Sequence, residues 1–162
     1  MQTGELIKRI ESAFREEKYP GDDGLTHGSS MEAVEVGDFL RARRWQDLRL
    51  GELARNHASL FFMTPEALRY YIPAFLVAAV RDYDDSDQIP SSLLSLLSPF
   101  ALNDSDYQTR FRQRYELFND SQRDAIRAFL EYLRDTHSED FPGGDGKDQA
   151  SQLLEWWAQR EP

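Results

Sequence analysis

Apolar residues recur at helical spacing along most of the chain. Leu6, Ile7, Ile10 and Phe14 share one face of a first helix, expected to run from a Thr3 cap to about Lys18. The stretch YPGDDG, Tyr19 to Gly24, ends it, because Pro20 stops a helix and Gly21 and Gly24 permit positive φ. A second, shorter helix is expected within residues 31–45, with Val34, Phe39 and Leu40 partly inward. Leu48, Leu50, Leu53 and the run SLFF add core material as a short helix and an extended approach.

The stretch FMTPEALRYYIPAF, residues 62–75, opens with a strong start signal. Thr64 can accept a hydrogen bond from an orphan N–H, and Pro65 fits the first helical position, where its missing N–H costs nothing. Pro73 then falls where a helix interior should be. An interior proline loses one backbone bond and clashes with the carbonyl four residues back, at about 3 kcal/mol. The spacing therefore predicts a helix that kinks at Pro73, or stops near Tyr71 and restarts there. From Pro73 to Val80 the residues are nearly all apolar, as in a central buried helix.

Further on, SSLLSLLSPF reads as a short helix closed by Pro99. Phe111, Tyr115 and Phe118 form a helical stripe among Arg110, Arg112 and Arg114. Asn119 with Gln122 is a capping box, followed by the apolar face Ile126, Phe129, Leu130 and Leu133. A last helix carries Leu153, Leu154, Trp156 and Trp157. No alternating strand pattern and no internal repeat interrupt this. The expectation is an all-α fold, one compact domain over residues 1–162, of about six or seven helices with one proline-kinked or broken central helix.

Composition changes the picture in three places. There are no cysteines, so disulfides, thiolate metal sites and cysteine nucleophiles are excluded, and a cytoplasmic location is the expectation. No apolar run approaches the roughly 18 residues needed to span a bilayer, and the N-terminus reads as an amphipathic helix rather than a signal peptide. The net charge of -10 argues against nucleic acid and against anionic membranes as partners. It suits a basic protein partner, since opposite fields accelerate encounter.

Candidate chemistry is sparse. Asp22, Asp23 and His27 cluster in the first loop and carry metal-ligating atoms, yet their spacing matches no standard site. The acidic loop at Asp82, Asp84, Ser86 and Asp87 fails as a calcium loop, because the required glycine and terminal glutamate fall on Asp87 and Leu93. His57 and His137 stand alone in sequence, with no hydrolase, metalloprotease or phosphate-loop signature. Arg41, Arg43 and Arg44 before Trp45 are expected to pair with carboxylates, as sixteen of the nineteen basic residues are arginines in an acidic chain. The preferred contact patch is Arg69, Tyr70 and Tyr71, because successive helical residues point in different directions and cannot all face a core. Trp157, beside Trp156, is a second contact candidate.

Tyr19-Pro20-Gly21-Asp22, and Thr64-Pro65-Glu66-Ala67 followed by Arg69-Tyr70-Tyr71 and Pro73, resemble an uncharacterised bacterial family of small acidic proteins, a domain of unknown function. The resemblance runs from about Leu6 to Leu133. It implies a compact bacterial domain and brings no activity, cofactor or catalytic residue. The functional expectation is a non-enzymatic binding protein without a cofactor, an immunity-type inhibitor of a basic protein by analogy. The alternatives are a small hydrolase or metal-dependent enzyme with a site near Asp22, Asp23 and His27, and a structural module dimerising through Tyr70 or Trp157.

Overall fold

The computed structural model describes residues 1–98, 109, 112, 113 and 115–160. Its α-helices are α1 (Thr3–Phe14), α2 (Met31–Leu40), α3 (Leu50–Arg55), α4 (Pro65–Arg81), α5 (Ile89–Leu97), α6 (Asp120–His137) and α7 (Gln149–Arg160). Short 3-10 turns connect them, including His57–Phe62, Tyr83–Asp85 and Ser138–Asp140. The domain is all-α: pairing among the described residues is limited to isolated bridges, Thr26 with Met63 and Pro142 with Asp148. No helix among them is long and apolar enough to cross a membrane.

Helix α4 is the axis of the fold. Its cap forms as the residues dictate, with Thr64 Oγ1 accepting from the Ala67 amide at 3.1 Å. The same hydroxyl donates to the Gly24 carbonyl at 2.6 Å, which ties the helix start to the first loop. The helix then runs unbroken through Pro73 instead of restarting there. Pro73 withholds one N–H from the Arg69 carbonyl, at about 3 kcal/mol. Ile72, Phe75 and Leu76 beside it are fully buried, and burial of each such side chain contributes about 1.5–3 kcal/mol. Together they outweigh the defect.

Helix α1 lies against both α4 and α6, α6 packs on α7, and α5 joins α4 to α7. Leu6, Ile10 and Phe14 form the buried face of α1, as the 3.6 period requires. The capping box of α6 is present in both directions, with the Gln122 amide donating to Asn119 Oδ1 at 2.9 Å and the Asn119 amide to Gln122 Oε1 at 3.0 Å.

Four local expectations are corrected. Helix α1 ends at Phe14, and Thr3 is its first residue, with Gln2 at the cap. Gly21 takes positive φ, 91°, but Gly24 does not. Val34 faces outward and is 54% exposed, while Phe39 is half-buried and Leu40 buried. Helix α5 starts before the serine run, with Pro90 in its first turn. Pro99, Arg110, Phe111 and Arg114 lie outside the described residues; Tyr115 and Phe118 are buried.

Candidate functional site

The residues singled out for contact sit in the core. Tyr71 is 0% and Tyr70 5% exposed, so they are not a surface patch. Neighbouring helix positions do point apart, but other parts of the chain cover α4 on those sides. Tyr71 reaches the segment after α2, its hydroxyl lying 3.0 Å from the Leu40 carbonyl and 2.6 Å from that of Arg43. Tyr70 bonds the Trp45 main chain and meets Tyr71 edge-on, ring centroids 4.8 Å apart. Burial raises the pKa of both phenols. Tyr71 donates through its hydroxyl, whereas Tyr70 accepts from the main chain. Arg69 is half-buried and donates to Glu17 at 2.8 Å and to the Leu117 carbonyl at 3.1 Å.

The YPGD turn closes onto the same place. The Tyr19 ring meets Tyr70 edge-on at 6.0 Å, its hydroxyl accepts from the Ala42 amide at 2.9 Å, and it donates to Asp22 at 2.5 Å. Gly21 supplies the backbone angle, φ 91° with ψ 155°, that brings Asp22 round to the phenol. Ala42 is itself held at φ 59°. Arg43 donates to Glu52 at 2.8 Å, and that bond holds the Glu52 carboxyl below its usual range. Arg44 pairs with Asp47 at 3.1 Å and Arg41 with Asp38 at 3.4 Å. All three arginines therefore serve carboxylates, as the composition led us to expect.

The network fixes segment 41–48, and that segment walls a cleft. The cleft measures about 310 Å³. Trp45, Gln46 and Leu48 form one side, Leu50 and Leu53 of α3 continue it, and Ala74, Val77 and Ala78 of α4 make the floor. Glu11, Arg15, Arg81 and Asp82 stand at its edge. The cleft therefore has an apolar floor and a charged edge.

The remaining candidates separate. Asp22 is committed to Tyr19, while Asp23 and His27 are exposed. No group of three histidine, aspartate or glutamate side chains placed to hold a metal occurs among the described residues, so a metal site at Asp22, Asp23 and His27 has no geometry behind it. Trp157 is 1% exposed, with its indole N–H 3.4 Å from the Leu97 carbonyl, and Trp156 is half-buried. Trp157 is therefore a core residue and not a contact surface.

Two histidines acquire partners that their sequence neighbours do not reveal. His57 Nδ1 lies 2.7 Å from Ser92 Oγ. The His137 ring stacks on Tyr83 at 3.4 Å, with its Nε2 3.0 Å from the Tyr132 hydroxyl and its Nδ1 3.8 Å from Asp140. Burial lowers the pKa of His137, against the opposite pull of Asp140 and Asp84. Both arrangements fasten one element to another: the 57–62 turn to α5, and the end of α6 to the 83–85 turn.

The outer stripe of α2 was also missed. Met31, Val34, Glu35 and Asp38 stand at positions i, i+3, i+4 and i+7, so they share a face, with Glu32 beside it. Met31 is 75% exposed. Only the mixed apolar and acidic composition of this short helix could have indicated it. No curated protein and no solved structure matches the chain. Over residues 2–161 it matches the Family of unknown function (DUF6714), and the chain belongs to that family.

Proposed function

We propose that this chain is a non-enzymatic binding protein that masks a basic protein partner through the outer face of α2. One observation carries the reading: Met31 and Val34, 75% and 54% exposed, stand among the exposed acids Glu32 and Glu35, with Asp38, which pairs with Arg41, at the end of the stripe. Large apolar side chains held out in water favour a covering surface. The surrounding carboxylates select a positively charged one and repel a second copy of the same face. The net charge of -10 extends this preference over the approach path. Immunity-type inhibition is the form of such binding that matches a small acidic chain without a catalytic signature.

A photo-crosslinker at Val34, introduced in the native host, tests the reading. A basic protein should be captured by the wild-type stripe and lost when Glu32→Gln, Glu35→Gln and Asp38→Asn are combined. The purified pair should then bind in solution, more weakly as salt rises. Equal capture by the neutralised stripe, or capture of acidic proteins only, overturns the proposal.

A further inference from the structure

The cleft beside Trp45 shares no residue with the α2 stripe, and its charges follow a pattern of their own. Helices α1 and α4 run antiparallel, because Glu17 pairs with Arg69 while Glu11 pairs with Arg81. This order sets Arg15 toward the Ala74 end of the cleft and leaves Asp82 at the other end. Glu11 and Arg81 neutralise each other at 3.8 Å. Arg15 and Asp82 have no side-chain hydrogen bond or ion pair among the described residues, so the cleft keeps one unmatched charge of each sign at opposite ends.

Between those charges lie Ala74, Val77 and Ala78, faced by Leu48 and Leu53. The axial distance from residue 74 to residue 82 is about 12 Å at the helical rise. The carbonyl end of α4 also lies at Asp82, and its negative dipole favours a cation there. Helix α1 ends near Arg15 too, so an anion at that end must rest on the guanidinium rather than on the backbone. A volume of about 310 Å³ is small for a ligand pocket, for which roughly 300–1,000 Å³ is usual.

We propose that the cleft binds a short zwitterionic molecule with an apolar body, its carboxylate on Arg15 and its ammonium at Asp82. A dipeptide of two apolar residues is the simplest member of that class. Its termini lie about 7 Å apart when extended, and the flexible Arg15 stem spans the remainder. The apolar side chains rest on Val77 and the half-buried Leu50, and Trp45 closes one wall.

The test is an NMR titration of the full chain with leucyl-leucine, its C-terminal amide, its N-acetyl form and decanoate. Leucyl-leucine should produce saturable shifts at the Trp45 indole and at the Ala74 and Val77 amides. Blocking either terminus should weaken binding at least about tenfold, the usual scale of one lost charged contact. Arg15→Gln should weaken the free dipeptide by the same factor and leave the amide unaffected. Asp82→Asn should do so for the ammonium and leave the N-acetyl form unaffected. Both substitutions replace side chains that are outside the core, so the fold is retained. The proposal is overturned by no saturable shift at millimolar dipeptide, by equal binding of the blocked forms, or by decanoate binding as tightly.

Discussion

From Pro65 to Ile72, α4 carries three large polar-tipped side chains turned toward the chain, and each is occupied: Arg69 by Glu17, Tyr70 by Trp45, Tyr71 by two carbonyls. From Pro73 to Val80 the same helix carries small and aliphatic residues around Phe75, and Ala74, Val77 and Ala78 open onto a cleft. The first half contains the residues most easily recognised in the sequence. Apart from Pro73, the second half contains none that stand out. Recognisable residues mark here where the chain is tied to itself, and the inconspicuous half is where a ligand has room. A self-bonded half should be costly to alter, and a half that borders a cleft should be tolerant.

Tyr71→Ala should have the largest effect, a loss of about 3–5 kcal/mol, because a fully buried aromatic is removed and two carbonyls lose their donor. Urea unfolding measures it; a loss below about 1 kcal/mol would erase the contrast between the two halves. Arg69→Met should follow at about 1.5–3 kcal/mol, since Glu17 and the Leu117 carbonyl both lose a charged donor. Val77→Ala should cost only about 1 kcal/mol, because the space left behind joins the cleft and no closed cavity forms.

A smaller effect depends on pH. Burial lowers the folded pKa of His137, so between that value and the unfolded one the unfolded chain binds more protons. Stability should therefore fall as pH drops through the ordinary histidine range, near 6.5. His137→Phe keeps a ring against Tyr83 and should flatten the melting temperature between about pH 7.5 and 5.5, where wild type declines. The smallest effect belongs to Ala42, at φ 59°. Ala42→Gly removes that strain and should stabilise the protein by about 0.5 kcal/mol after the added chain entropy. A destabilisation in thermal unfolding would show that the Ala42 methyl makes a contact worth more than the strain.

The parts that were legible in the sequence are the locally determined ones. The Asn119–Gln122 box and the Thr64–Pro65 start involve residues three apart or fewer, so their chemistry is visible in one window. The single all-α domain followed from the periodicity. The orientation of Tyr70 and Tyr71 did not, because periodicity gives a helix an inner and an outer side. It is blind to a helix enclosed all round, and here the segment that covers the tyrosines lies 28 and 31 positions away from Tyr71. Val34 failed for the opposite reason: an aliphatic residue reads as inward, and here it lies on a helix face that the described residues leave exposed. The His137 cluster depends on Tyr83, far upstream. The cleft depends on α1, segment 45–48, α3 and α4 meeting, and the residues of α4 that line it lie beyond that helix's recognisable motif.

Glu17 gives the fold a timetable. One of its carboxylate oxygens accepts from Arg69, 52 positions on, and the other from the buried Gln122, 105 positions on. A ribosome adds about 5–20 residues per second, so the second of these contacts becomes available several seconds after the first helix emerges. Until then α1 has a completed face against α4 and a bare one where α6 will lie. In the nascent chain α1 and α4 are therefore available to each other before α6, and the seam between the chain's beginning and its final third cannot close until Gln122 has emerged.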